Sequence, residues 1–135
     1  MCRLFIGADP QLWESQTRSI RMDGMVTSVR LERMFWLVLE EIASRDELNV
    51  PQLLHQLYNE SIDAGHDMGN FTSFLRVSCL RFVDLQLQGL LPADHVGTRS
   101  AAEILDLEAE ALRLRERASS GGTSVAGRLR SRYLM

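Results

Sequence analysis

The chain has 135 residues, of which 45% are apolar and 24% charged. These values are typical of one folded domain and exclude a wholly disordered chain, a collagen and a disulfide-rich mini-protein. No apolar run approaches the roughly 20 residues of a membrane-spanning helix. The first apolar stretch is also too short for the core of a signal peptide. The expected location is therefore cytoplasmic.

The net charge of −3 is unevenly distributed along the chain. Residues 1–33 hold five arginines and four acids, residues 34–70 one arginine and seven acids, and residues 71–135 nine arginines and seven acids. There is no lysine, so contacts to phosphate fall to arginine side chains or backbone amides. A local patch, and not the total charge, governs binding to nucleic acid. The mildly acidic total thus leaves DNA binding open and argues only against non-specific binding by the whole surface.

A β-hairpin is the first strong structural signal. Two runs rich in β-branched and apolar residues, 17–22 and 25–31, flank an Asp23-Gly24 pair. Asp-Gly favours a two-residue hairpin turn, because both turn positions need positive φ. Upstream, the run 3–6 predicts a short strand that Asp9-Pro10 ends.

The second strand of this hairpin alternates in polarity, which is typical of a strand with one buried face. We expect Thr27, Val29 and Leu31 to face the helices that follow. The outward face of the strand then carries Val26, Ser28 and Arg30.

Helical spacing of apolar residues predicts four helices after the hairpin, at 33–44, 50–64, 71–88 and 101–118. Asn49 and Ser100 are suitable N-caps for the second and the fourth. The third helix is apolar nearly all round, so we expect most of it to be buried. Beyond the fourth helix, a Ser- and Gly-containing linker leads to a basic tail with Arg128, Arg130 and Arg132.

The order of strand, helix, polar break and capped helix in residues 26–64 resembles a ribbon-helix-helix module of the MetJ/Arc type. The resemblance depends on residues 27–32, on the apolar helix 34–43 directly after them, and on the capped start 49–54. Residues 74–82 further resemble an uncharacterised bacterial subgroup with a third, longer helical segment. The fold implied is mainly α with a short β-ribbon, forming a ribbon-helix-helix dimer with additional C-terminal helices.

Together with the pattern of the residues, this resemblance predicts four segments of chain. They are an N-terminal extension (1–16), a ribbon-helix-helix-like domain with a third helix (17–90), a C-terminal amphipathic helix (91–118) and a flexible basic tail (119–135).

The resemblance also implies a homodimeric transcriptional regulator that reads the DNA major groove with an intermolecular β-ribbon. Val26, Ser28 and Arg30 would contact bases, because arginine pairs with guanine and serine bonds several base edges. The second helix of the family holds a DNA phosphate, which assigns that role to Asn49 and Val50. Arg18 and Arg21 are expected to be solvated, with flanking phosphate contact as the second interpretation. The predicted dimer core is Val29, Leu31, Phe35, Leu39, Leu54 and Leu57.

The upstream strand is a departure from this pattern. If 17–22 pairs with 25–31, the dimer ribbon becomes a four-stranded sheet, which crowds a groove about 12 Å wide. Its outer strands would then follow the phosphates, or the face would bind something else. The alternative function is a protein-interaction or oligomerisation module that uses this fold without binding DNA.

The sequence offers little for catalysis. Cys2 and Cys79 are far apart and belong to no metal-binding or disulfide pattern. The histidines lack the spacing of metal ligands. Cys2 after Met1 is similar to the N-terminal nucleophile of glutamine amidotransferases, but over two or three residues only, in a chain too short for that fold. We expect no enzyme activity, no cofactor and no metal.

The expected partners are a second copy (as a dimer or a higher oligomer), duplex DNA, and a protein bound through the C-terminal helices, but no membrane.

Overall fold

The computed structural model describes residues 1–92 and 100–118. Seven regular elements lie within residues 1–92: α1 (Cys2–Ile6), a short 3-10 helix (Pro10–Trp13), β1 (Ser15–Met22), β2 (Met25–Glu32), α2 (Arg33–Arg45), α3 (Val50–Asp63) and α4 (Phe71–Leu87). Helix α5 (Ala101–Ala118) lies within residues 100–118. The described chain is mainly helical with one two-stranded antiparallel sheet, as predicted. It divides after Leu80 into two compact units. Within 1–92 and 100–118, every helix falls short of the length and apolarity that a membrane crossing requires.

The hairpin forms where the Asp23-Gly24 pair predicts it. Both turn residues adopt positive φ, 51° at Asp23 and 77° at Gly24, as a type I′ turn requires. The strands pair in register from Met22 opposite Met25 to Ser15 opposite Glu32. One face of the sheet therefore packs against the core, and the other face is exposed at the surface.

The core lies between the inward face of this sheet and helices α2 and α3. Because α2 begins directly after β2, Trp36 lies beneath the hairpin, where its Nε1 donates a 3.0 Å hydrogen bond to the carbonyl oxygen of Gln16. Trp36, Leu39 and Ala43 are buried at helical spacing. The buried apolar residues are Ile20, Met22, Val29, Leu31, Trp36, Leu39, Ala43, Val50, Leu53, Leu54, Leu75 and Cys79.

Helix α3 begins with the predicted cap. The Asn49 side chain accepts a hydrogen bond from the Gln52 amide, and the Gln52 side chain accepts one from the Asn49 amide, both at 2.9 Å. This reciprocal arrangement is a capping box, which fixes the start of the helix. The helix then presents Val50, Leu53 and Leu54 to the core.

Helix α4 does not match its prediction. Only Leu75 and Cys79 are buried, whereas Val77 and Leu80 are 64% and 66% exposed. The expectation that most of this helix is buried is wrong for a single chain. Within one chain the helix offers one side to the core, and its exposed apolar side chains are Val77, Leu80, Val83 and Leu87.

Helix α5 is amphipathic and capped as predicted. The Ser100 hydroxyl accepts from the Glu103 amide at 3.2 Å, and the Glu103 carboxylate accepts from the Ser100 amide at 2.8 Å. In the same unit, Arg81 donates two hydrogen bonds to Glu108, at 2.8 and 2.9 Å. This carboxylate raises the pKa of Arg81. The predicted basic tail lies outside the described residues.

The prediction of a strand at 3–6 is wrong, since Cys2–Ile6 is a short helix. Short apolar runs do not distinguish a strand from a helix by periodicity. The stretch satisfies its backbone locally, since the amides of Leu4 and Gly7 donate to the carbonyl oxygens of Met1 and Arg3.

Candidate nucleic-acid interface

The outward face of the β1–β2 hairpin brings together short polar side chains and arginines. β1 contributes Thr17, Ser19 and Arg21, and β2 contributes Val26, Ser28 and Arg30. All six are exposed, and none of them is acidic. We call these six residues the ribbon face.

The strand register fixes the layout of the ribbon face. Ser19 lies opposite Ser28 at the centre, Arg21 opposite Val26 towards the turn, and Thr17 opposite Arg30 at the far end. The two arginines therefore occupy opposite strands at opposite ends, about 14 Å apart along the ribbon at ~3.4 Å per residue. Hydroxyl groups lie between them.

Both arginines of the ribbon face are unpaired within the described parts of the chain: neither guanidinium makes a hydrogen bond or an ion pair there. Arg18, which the sequence grouped with Arg21, differs. It lies on the inward side of β1, 3.2 Å from the Glu40 carboxylate and 4.5 Å above the centre of the Trp36 ring. Since adjacent strand positions alternate in direction, Arg18 and Arg21 lie on opposite faces of the hairpin.

Glu32 is the first acid beyond the Arg30 end of the ribbon face. It follows Arg30 in the strand alternation, and Arg76 of α4 donates two hydrogen bonds to its carboxylate, each of 3.1 Å. These bonds from Arg76, together with the charge of Arg30, hold the pKa of Glu32 below its ordinary value. The Glu32 carboxylate is therefore ionised at neutral pH, and the guanidinium of Arg76 balances its negative charge.

The start of α3 was predicted to bind phosphate through Asn49 and Val50. In the structure the capping box already satisfies the amides of Asn49 and Gln52. Pro51 has no amide hydrogen, so the Val50 amide is the remaining donor in this first turn. The assignment stays a prediction, and anion binding here would compete with the cap.

The residues predicted for a dimer core lie between the sheet and the helices of one chain. Val29, Leu31, Leu39 and Leu54 are buried there, and Phe35 and Leu57 pack against them. Their burial needs no second copy, because β2 is paired with β1 of its own chain. Thr27, expected to face the helices, is exposed near the turn. A dimer role for the six core residues stays a prediction.

Two residues of the ribbon face, Thr17 and Ser19, were not singled out from sequence. The signal was available, since a two-residue Asp-Gly turn fixes the register and so pairs Thr17 with Arg30 and Ser19 with Ser28. The described residues include no cluster of three or more side chains suited to hold a metal ion.

Residues 15–83 match the family model of the ribbon-helix-helix domain, and the chain belongs to this family. Ribbon-helix-helix domains are typically DNA-binding transcription regulators and generally dimerise. Among solved structures, the chain is 47% identical to an uncharacterized protein from Bordetella pertussis Tohama I, with a TM-score of 0.73; the match covers 78% of this chain and 86% of that chain. None of the curated proteins compared with the chain matches it.

Proposed function

We propose that this protein is a homodimeric transcription regulator that binds duplex DNA and reads the major groove with its ribbon face. One observation carries the proposal: two arginines that make no hydrogen bond or ion pair within residues 1–92 and 100–118 share an exposed face with three hydroxyl side chains, and that face contains no acid. Arginine pairs with guanine in bidentate fashion, hydroxyls bond several base edges, and Val26 suits a thymine methyl group. The family is a DNA-binding fold not known to be enzymatic, and we propose no catalytic activity.

The contrast with Arg18 of β1 and Arg76 of α4 supports this choice of face. Arg18 and Arg76 are each matched to a carboxylate within 3.2 Å. Arg21 and Arg30 are left to solvent, where a phosphate or a base edge is the complementary ligand. Such contacts carry a strong dependence on salt, because bound counterions are released from the DNA.

The family, whose domains generally dimerise, supports the proposed homodimer. In the dimer implied by the resemblance, the β2 strands of two copies would pair at their open edges. In this chain that pairing would add β1 on both sides and give a sheet of four strands. The exposed apolar side chains of α4, Val77 and Leu80, are the second surface that a copy of this chain would cover.

The test is a titration of labelled duplexes from around the protein's own gene, followed by fluorescence anisotropy at two salt concentrations. Three proteins are compared: wild type, Arg30→Ala, and Arg3→Ala as a control that removes an equal charge from α1. We expect salt-sensitive, fragment-selective binding by wild type and Arg3→Ala. Arg30→Ala should lose about 1–3 kcal/mol and some selectivity.

Two outcomes would contradict the proposal. Equal, weak binding by all three proteins would show that binding does not depend on Arg30 and is not specific for a DNA sequence. No binding by wild type would favour the interaction module, for which the exposed apolar side of α4 is the supporting observation. That module predicts a protein partner recovered by pull-down and lost when Leu80 is changed to Arg.

A further inference from the structure

We infer that the two strands of the ribbon face have different ligands in the DNA complex: β2 contacts bases, and β1 holds phosphates on the walls of the groove through Thr17, Ser19 and Arg21. The inference rests on the proposed DNA binding by a dimer and deepens it, because it divides the ribbon face between two kinds of ligand. Three observations support it: the open edge of β2, the width of the joined sheet and the side chains of each strand.

The hydrogen bonds of the hairpin determine which backbone groups of β2 are available to a second copy. Met22 and Met25 flank the two-residue turn and are register partners, so they exchange backbone hydrogen bonds across it. Hydrogen-bonded and non-hydrogen-bonded pairs alternate along an antiparallel ladder. The amides and carbonyls of Val26, Ser28 and Arg30 therefore point away from β1, to the open edge of β2 in this two-stranded sheet.

A twofold pairing centred on Ser28 suits this edge best. Residues 25–31 of each β2 strand would then pair, with Arg30 opposite the partner's Val26. A centre one residue later would make the two Arg30 side chains diagonal neighbours about 7–8 Å apart, where like charges repel. A centre one residue earlier would pair fewer residues, because β2 begins at Met25. The two β2 strands thus form the middle of the joined sheet, and the two β1 strands its outer edges.

The joined sheet is wide enough to place β1 over the walls of the groove. Neighbouring strands lie about 4.8 Å apart, so the outer strands of four are separated by about 14 Å. The major groove is about 12 Å wide and about 8.5 Å deep, with base edges on its floor. Each β1 strand would therefore lie over a wall, where the phosphates are. From a wall, the short side chains of Thr17 and Ser19 reach phosphate oxygens but not the floor.

The side chains of each strand match this placement. Thr17, Ser19 and Arg21 all carry a hydrogen-bond donor, and hydroxyls and arginine are common phosphate contacts in DNA complexes. β2 instead includes Val26, which has no donor for a phosphate and suits a thymine methyl group. Arg18 lies on the inward side of β1 and is paired with a carboxylate of α2. Arg21 is therefore the arginine that β1 offers to a phosphate.

The experiment has two readouts, both with full-length protein. Binding-site selection from a random duplex library gives the preferred sequence, and anisotropy titrations of that duplex over a series of salt concentrations give the affinity and its salt dependence. The proteins compared are wild type, Arg21→Ala, Arg21→Lys, Ser19→Ala and Arg30→Ala. Arg3→Ala is the control, because it removes an equal charge from α1.

We expect Arg21→Ala to select the wild-type palindrome but to bind it several-fold more weakly at low salt. The slope of log affinity against log salt should fall by about 1.8, which is about 0.9 for each of two phosphates. Arg21→Lys should restore both values, since a phosphate accepts a point charge. Ser19→Ala should lower affinity at an unchanged slope, because its hydroxyl is neutral. Arg30→Ala should instead lose a base preference in each half-site, and Arg3→Ala should match wild type.

The outcomes separate this inference from the proposed function. If Arg21→Ala loses the preference for a base, β1 reads bases and the inference is wrong, while DNA binding stands. A salt slope equal to that of wild type in Arg21→Ala would also overturn it, because β1 would then make no ionic contact with the DNA backbone. If wild type binds no duplex, both the inference and the proposed function fail. Because the substituted side chains are exposed, circular dichroism should show unchanged folding in each variant.

Discussion

Arg76 of α4 donates two hydrogen bonds of 3.1 Å to the Glu32 carboxylate, at the point where β2 ends and α2 begins. The contact spans 44 residues of sequence and ties the first half of α4 to the end of the ribbon. It also compensates the acid nearest to Arg30. One ion pair therefore serves both the stability of the fold and the electrostatics of the ribbon face.

Removal of Arg76 should weaken DNA binding without touching the ribbon face. In Arg76→Ala, the Glu32 carboxylate stays ionised and repels phosphate beside Arg30, so we expect affinity to fall several-fold at low salt. In the double variant Glu32→Gln/Arg76→Ala the negative charge is gone, and affinity should recover. Anisotropy titrations of the three proteins measure this. Equal losses in the single and double variants would mean that the ion pair acts through folding alone.

The same pair should contribute to stability in a defined pH range. Because the folded-state pKa of Glu32 is lowered, its contribution is present above the unfolded pKa of about 4.3 and is lost as the pH falls through the folded pKa. At pH 7, the free energy of unfolding of Glu32→Gln should be lower than that of wild type by up to about 1 kcal/mol. The difference is small because the ion pair is partly exposed. Urea unfolding at pH 7 and pH 3 checks this. The difference between the two proteins should shrink at pH 3, and a constant difference would contradict the assignment.

Local chemistry made much of this fold predictable. The Asp23-Gly24 turn, the alternation of β2 and the caps at Asn49 and Ser100 each depend on residues close in sequence. Arg18 and Arg21 show where the pattern was not fully used. They are three positions apart on one strand and so face opposite ways, which places only Arg21 on the ribbon face.

The features that the sequence does not predict depend on contacts between residues that are far apart in the chain. Helix α4 is apolar nearly all round, but its hydrophobicity does not determine how many of its sides contact other elements of the chain. The bond from Arg76 to Glu32 likewise has no local signature.

The hairpin turn should be sensitive to loss of its glycine. Gly24 has φ of +77°, and a Cβ added there would meet no atom within 4 Å, so only backbone strain opposes a side chain. Gly24→Ala should cost about 1–2 kcal/mol of unfolding free energy. Gly24→Asn should cost less, since asparagine tolerates this conformation. Urea unfolding of both variants tests the order, and a Gly24→Ala protein as stable as wild type would contradict the turn geometry.

The two cysteines should differ sharply in reactivity. Cys79 is buried against the Phe35 carbonyl oxygen, and burial raises the pKa of its thiol to about 11. Cys2 is exposed. At pH 8 a thiol reagent should modify one cysteine in the native protein and two in urea, because the thiolate is the reactive form. In Cys2→Ser the native protein should not react. Rapid native modification of that variant would show that α4 opens away from the core.

Dimerisation and folding should be separable by the choice of residue. Val29 is buried within its own chain, so Val29→Asp should unfold the monomer by leaving a charge without a partner in the core. Leu80 is 66% exposed on α4, so Leu80→Arg should keep the helical spectrum. If α4 forms the contact between two copies, Leu80→Arg should sediment as a monomer, because a charge in an apolar contact is costly. Analytical ultracentrifugation with circular dichroism distinguishes the two effects. A dimer that survives Leu80→Arg would move the contact away from α4, with the open edge of β2 as the next site to test.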